Sequence, residues 1–200
     1  MEPTMFEYTS KGNFYDTRKI WVSDDGDLYN PVAPAAIYYL DGKVVREEWS
    51  VALEAKGNFY REDDKPAVIE YREDGSVKRH EWYESLDNIE NMVRALDHDV
   101  DYELMPTRIN GPSVVEYHKN GFPSREEWTN ENGILDRYSG PAVIDFHENG
   151  VPRREEWFND GDHYRYGPHP NVVEYSPDGE ITLEMWLDPW GEVVNWNGRP

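Results

Sequence analysis

The chain has no cysteine, no long apolar run and little positive charge. Without cysteine there is no disulfide framework and no thiolate metal site. No segment approaches the ~20 apolar residues needed to span a bilayer. The opening residues, M-E-P-T-M-F-E-Y, lack a basic region followed by an apolar run, so no secretory signal is legible. These absences lead to the expectation of a soluble, cytoplasmic protein. Lysine and arginine number 20 against 41 aspartates and glutamates, a formal net charge of -21. Such a charge repels nucleic acid and anionic membranes and favours a basic protein partner. The same excess also serves to keep a β-rich chain in solution.

Aromatic residues are plentiful, with 8 Trp, 14 Tyr and 6 Phe. That separates the chain from disordered acidic sequences, which are aromatic-poor. The aromatics recur in a motif. Its clearest copy is Pro141 to Gly161, P-A-V-I-D-F-H-E-N-G-V-P-R-R-E-E-W-F-N-D-G, and related copies open at Pro34, Pro66, Pro112 and Pro170. Trp128 to Trp157 and Trp157 to Trp186 are both 29 residues, a period that marks a repeat architecture. The spacing Trp21 to Pro34 matches Trp128 to Pro141 and identifies Trp21 as the tryptophan of a degenerate first unit. Units are expected around 5–26, 34–57, 66–82, 112–133, 141–161 and 170–191.

Each unit reads as a β-hairpin. A run such as Ala67-Val68-Ile69-Glu70-Tyr71 is rich in β-formers. It leads into Asp41-Gly42, Asp74-Gly75, Asn120-Gly121, Asn149-Gly150 or Asp178-Gly179, dipeptides that favour a two-residue type I′ turn. Counting outward from Asp74-Gly75 pairs Tyr71 with Lys78, Glu70 with Arg79 and Ile69 with His80. The same count opposes Glu116 to Arg125 and Asp145 to Arg154, whereas Glu174 meets Leu183. Alternation places Ala67, Ile69, Tyr71 and Trp82 on one face, expected to be the core, and Val68, Glu70, Arg79 and Glu81 on the outer face. Trp21, Trp49, Trp82, Trp128, Trp157 and Trp186 are the expected structural core, each burying ~200 Å².

Three regions break the pattern. Connectors carry aromatic and arginine neighbours, Tyr60-Arg61, Arg137-Tyr138 and Tyr164-Arg165. An insert at 83–110 contains Leu86, Ile89, Val93 and Leu96 at helical spacing, which predicts one short amphipathic helix that also carries Met92. The last unit replaces the Arg and Glu of its relatives with Leu183 and Met185, and a tail over 187–200 holds Trp190, Val193, Val194 and Trp196. Terminal repeats cap an array, so the tail is expected to fold over this apolar end. The other reading is a surface for a partner or for homodimerisation through the C-terminal unit.

The motif resembles the divergent MORN-like repeats of bacterial antitoxin-like proteins and of large viruses and phages, whose pattern is G-P-A-x-I-x-x-x-x-x-G-x-x-x-x-E-x-W. Gly140 to Gly161 carries the resemblance best, then Gly111 to Gly133. The resemblance implies an elongated, curved antiparallel sheet that serves as a binding scaffold, with no catalytic residue.

Direct tests of the residues for chemistry point the same way. His118 and His147 occupy equivalent repeat positions and read as surface side chains. His163 and His169 with Tyr166 make only a weak metal motif. Doublets such as Glu126-Glu127 put neighbouring carboxylates on opposite faces, where they cannot act across one sugar cleft. Asp24-Asp25-Gly26-Asp27 and Asn159-Asp160-Gly161-Asp162 lack the closing glutamate of a calcium loop and read as turns. No cofactor is expected. The expectation is therefore an all-β, non-enzymatic acidic scaffold that binds and inhibits a basic protein, of the antitoxin, immunity or phage anti-defence type, with mimicry of nucleic acid as one variant. Candidate contact residues are Tyr60, Arg61, Ile89, Met92, Arg137, Tyr138, Tyr164, Arg165, Leu183, Met185, Trp190 and Trp196. The alternatives are a glycan- or nucleotide-binding module using exposed aromatics, and a structural assembly protein.

Overall fold

The computed structural model describes residues 2–9, 15–50, 59–83 and 105–198. The chain divides into two compact units, Met1–Leu104 and Met105–Pro200. The first contains β1 (Thr4–Thr9), β2 (Thr17–Val22), β3 (Ala36–Leu40), β4 (Lys43–Glu48), β5 (Val68–Tyr71) and β6 (Val77–Glu81). The second contains β7 (Val114–Tyr117), β8 (Pro123–Glu127), β9 (Val143–Phe146), β10 (Pro152–Glu156), β11 (Phe158–Asn159), β12 (Asp162–His163), β13 (Val172–Tyr175), β14 (Ile181–Leu187) and β15 (Val193–Gly198). In both units the long strands pair antiparallel in sequence order, and β11 pairs with β12 as a separate ribbon. The fold is all-β, built of tandem hairpins. The helix expected over 85–96, with Ile89 and Met92, lies outside the described residues.

Four of the five turns are not the expected two-residue type. In the third hairpin the Arg72 N–H donates to the Ser76 carbonyl at 2.8 Å and the Gly75 N–H to the Arg72 carbonyl at 2.9 Å. Only Gly75 has positive φ, at 83°. This is a three-residue loop closed by a glycine bulge, and it recurs at His118–Phe122, His147–Val151 and Ser176–Glu180. Tyr71 consequently pairs with Val77, not Lys78. A second one-residue irregularity follows, between Glu70 and Tyr71, and restores the counted register. Glu70 meets Arg79, Ile69 meets His80, Glu116 meets Arg125, Asp145 meets Arg154 and Glu174 meets Leu183, all as the count requires. The hairpin of Asp41-Gly42 is the exception: both residues have positive φ, 50° and 74°, the mark of the type I′ turn. The residue missing from that copy of the motif is therefore a turn residue.

The core is a band, not a face. Burial in β5 runs from fully buried Val68 and buried Ile69 to half-buried Glu70 and Tyr71. Ala35, Ala36, Ala67, Ala142, Val143 and Val172 are essentially inaccessible. They lie just after the proline of each unit, on both faces. The outer-face assignment of Val68 and Glu81 is therefore overturned, since both are buried. Burial thus gathers at the proline end of the hairpins, and the turn residues are exposed. Backbone bonds tie this band across units: Trp49 N–H to Ala67 O and Trp128 N–H to Ala142 O, both 2.7 Å.

The tryptophans fill this band less completely than the sequence implied. Trp82 is buried at 9% exposure, and the other five repeat tryptophans are half-buried. A single layer of strands has no second sheet to cover the outer ring face, so another group must supply the cover.

Candidate binding surface

For three of these tryptophans that cover is the connector arginine. Arg61 lies over Trp49 at 3.6 Å, Arg137 over Trp128 at 3.6 Å and Arg165 over Trp157 at 3.8 Å. Each also donates from Nη1 to the carbonyl of the proline opening the next unit: Pro66 at 3.4 Å, Pro141 at 3.1 Å and Pro170 at 3.0 Å. Arg108 makes the same bond to Pro112 at 3.4 Å. In the first unit Asn30 stands in, its Nδ2 donating to the Pro34 carbonyl at 3.3 Å. The planar guanidinium suits both tasks, stacking on an indole while its edge donates to a carbonyl. Burial lowers the affinity of Arg61 and Arg137 for their protons, and nearby carboxylates oppose the effect.

A second set of arginines forms a ladder on the opposite face. Arg125 Nε donates to Glu127 at 2.7 Å and its Nη1 to Asp145 of the next hairpin at 2.9 Å. Arg46 joins Glu48 and Glu70, and Arg154 joins Glu156 and Glu174, in the same way. Asp145 and Glu174 thus each accept from the preceding hairpin, and Asp145 accepts as well from Arg153 of its own hairpin at 2.9 Å. The ladder welds neighbours and ends at Glu174, which meets Leu183 in its own hairpin. Tyrosines complete the carboxylate shells on the ladder face, where Tyr38 donates to Glu48 and Tyr83 to Glu81, both at 2.9 Å; on the other face Tyr175 donates to Glu155 at 2.7 Å. Burial first, then the adjacent carboxylate, pushes the Tyr38 phenol up to about 12 and raises that of Tyr175.

His118 and His147, expected at the surface, are half-buried staples. Their Nε2 atoms lie 3.0 and 2.9 Å from the carbonyls of Phe146 and Tyr175. Asn120 and Asn149 reach the carbonyls of Glu148 and Pro177 in parallel. Recurrence at one position of the motif, 28 residues from the acceptor in each case, was the available sequence signal.

With these cations bound internally, uncompensated acid gathers at one edge. After Trp128, Trp157 and Trp186 the chain makes a small return loop. In the second unit three such loops lie side by side. The Gly161 N–H donates to Leu135 O at 2.9 Å, Asn130 Nδ2 to Asp160 Oδ1 at 3.1 Å, and the His163 N–H to Pro189 O at 3.4 Å. The loops 129–136, 158–163 and 187–193 contain Glu131, Asp136, Asp160, Asp162, Asp188 and Glu192, and no Lys or Arg. Ile134 at 40% and Trp190 at 86% exposure put apolar surface among the acids. Asn159-Asp160-Gly161-Asp162 is a turn, with positive φ at Asp160 and Gly161.

This edge adjoins a cleft of ≈ 420 Å³ between the connectors 137–140 and 164–166, with Trp157 and Phe158 on its lining. Four of the sequence candidates, Arg137, Tyr138, Tyr164 and Arg165, meet here, joined by Trp157, Phe158 and Tyr166, which were not singled out as contacts. Tyr138 is 104% and Tyr166 87% exposed. Tyr60 and Arg61 lie in the first unit, half-buried. At the other end of the chain β15 adds a strand to β14, with Met185 opposite Trp196 and Leu187 opposite Val193. The tail thus lies beside β14 as a further strand; Leu183 and Met185 are half-buried, and Trp196 is 64% exposed.

Among the described residues, no three His, Cys, Asp or Glu side chains converge as a metal site would need, His163 and His169 included. Nor is any helix among them long and apolar enough to cross a membrane. Comparison with protein-family models, with curated proteins and with solved structures finds no match, so the MORN-like resemblance rests on the motif residues alone.

Proposed function

We propose that the chain is a non-enzymatic acidic scaffold that captures a basic protein partner in the cytoplasm and blocks that partner's activity, as an immunity protein or anti-defence inhibitor does. One observation carries this reading. The acidic edge of the second unit, built from three hydrogen-bonded return loops, holds six carboxylates and no Lys or Arg, with Trp190 and Ile134 exposed among them. The ladder and connector arginines of the second unit are engaged within the fold and do not neutralise these loops. An exposed tryptophan ringed by charged side chains has the form of an aromatic anchor within a polar rim. Rows of carboxylates presented by rigid loops also support the nucleic-acid-mimic variant.

The test is capture of the partner from the source cells, followed by binding of the purified pair at rising salt. Affinity should fall with ionic strength. It should fall again when Glu131, Asp160, Asp162 and Glu192 are changed together to Gln or Asn. A pair that binds equally well at low and high salt, and equally well to the neutralised variant, overturns the reading. Loss of the partner's own activity on binding separates an inhibitor from a passive scaffold.

A further inference from the structure

The repeat makes the cleft informative, because its counterpart lies one period earlier in the same unit. Arg108-Ile109-Asn110-Gly111 becomes Arg137-Tyr138-Ser139-Gly140, and Thr129 becomes Phe158. Ile109 and Thr129 are thus replaced by aromatic rings. Phe158 is half-buried and packs on His163 at 4.3 Å between ring centroids, whereas Tyr138 is fully exposed and holds no part of the fold together. The structural members of the two sites are unchanged: an arginine bonded to the next proline carbonyl, and a half-buried tryptophan. The exposed ring of Tyr138 is therefore free to serve a ligand, with Phe158 as a wall beside it.

The chemistry of the lining specifies that ligand. Hydroxyl and guanidinium groups of Tyr138, Tyr164, Tyr166, Arg137 and Arg165 make it rich in donors. No carboxylate lines it. Flat rings supply the remaining surface. Such a site suits a chain that offers carbonyl acceptors, no N–H groups and flat apolar rings, which describes proline in the polyproline II conformation. The cleft volume lies within the usual range for ligand pockets, about 300–1,000 Å³. One turn of polyproline II, three residues and about 9 Å long, is of that scale. A glycan's many hydroxyl donors would find only hydroxyls and the Ser139 and Asn159 oxygens among the lining side chains, and no carboxylate. A phosphate would meet the net charge of -21 and the carboxylates of Asp160 and Asp162 beside the cleft. Those carboxylates instead favour Lys or Arg flanking the prolines.

We infer that the cleft formed by Tyr138, Trp157, Phe158, Tyr164 and Tyr166 docks a proline-rich segment with flanking basic residues. This deepens the reading above and rests on it, by naming the part of a basic partner that the cleft takes. Aromatic-lined grooves recognise such segments because the extended helix is already ordered before binding.

The experiment titrates the full-length chain with synthetic peptides of about ten residues and follows binding calorimetrically. One peptide has paired prolines between flanking arginines, a second replaces every proline with alanine, and a third keeps the prolines but replaces arginine with glutamate. The first should bind, and the other two should bind at least about tenfold more weakly. Tyr166→Ala and Tyr138→Ile should each lower affinity about tenfold, with circular dichroism unchanged. The second of these installs the residue of the neighbouring repeat. Equal binding of the alanine peptide, with no effect of either tyrosine variant, overturns the cleft assignment and leaves the basic-partner reading standing. Failure of all basic peptides, together with failure of the acidic edge to capture a partner, overturns both. Displacement of the proline peptide by an uncharged oligosaccharide reassigns the cleft to glycan and likewise overturns the inference.

Discussion

Removing one ladder arginine should uncouple two hairpins, and Arg46 is the sharpest case. Its Nε donates to Glu48 at 2.7 Å and its Nη1 to Glu70 at 2.8 Å, so one guanidinium joins the β3–β4 hairpin to β5. The Glu48 side chain is only 8% exposed and that of Glu70 23%. Arg46→Met keeps most of the aliphatic volume and removes both bonds. Charge-assisted bonds contribute about 1.5–3 kcal/mol each. Tyr38 and Lys78 still hold the two carboxylates, and relief of the arginine's own desolvation offsets part of the loss. A net destabilisation of about 2 kcal/mol is expected, below the 3–5 of fully buried pairs. In urea, with a slope of about 2 kcal/mol/M, the midpoint should fall by about 1 M. Because coupling between neighbours holds repeat arrays together, the transition should also broaden. Acid provides a second handle. Burial pushes the Glu70 carboxyl up, but Lys78 and Arg46 more than reverse this and hold it below the ordinary carboxylate range. A depressed carboxyl contributes stability above its unfolded value and loses it as pH falls through the folded one. The part of the difference between wild type and Arg46→Met that comes from Glu70 should therefore be full at neutral pH and shrink as pH falls below the ordinary carboxylate range. A midpoint shift under about 0.3 M at neutral pH would mean that the ladder is an exposed ornament, worth no more than ordinary surface pairs.

Three further outcomes are expected. Gly75 has φ of 83° with nothing within 4 Å of a new Cβ, so Gly75→Ala should cost about 1–2 kcal/mol through backbone strain alone, and Gly75→Asn less; equal losses in chemical denaturation would point to a contact instead. Burial and the neighbouring carboxylates push the phenols of Tyr38 and Tyr71 up to about 12, so their contribution to stability is complete below about pH 10 and is lost as pH rises toward 12; ultraviolet titration showing all tyrosines ionising together near pH 10 in a folded chain would refute this. Acrylamide should quench the fluorescence of Trp190 and Trp196, which are 86% and 64% exposed, far more than that of Trp82 at 9%, so that Trp190→Phe with Trp196→Phe removes most of the readily quenched signal; uniform quenching would contradict the burial pattern.

Hairpin positions and the opposition of Glu70 to Arg79, Glu116 to Arg125 and Asp145 to Arg154 within their hairpins were legible in the residues themselves. Asp-Gly and Asn-Gly dipeptides, β-rich runs and side-chain alternation act within about ten residues, and the repeat states them several times over. Even the misjudged turns left the register intact, because one extra loop residue and one bulge cancel. Local rules could not supply the lateral partner. Arg125 reaches Asp145 across 20 residues and Arg46 reaches Glu70 across 24, although each also opposes or neighbours a nearer carboxylate. That choice depends on which strand lies alongside. Burial escaped the sequence for a related reason. A single layer of strands has no second sheet to cover it, so burial gathered in a band at the proline ends and three of the tryptophans took arginine planes as covers. The cleft belongs to the same class. Tyr138, Phe158 and Tyr166 stand in three separate stretches of sequence, and only the packing of one connector beside the next makes them a single surface.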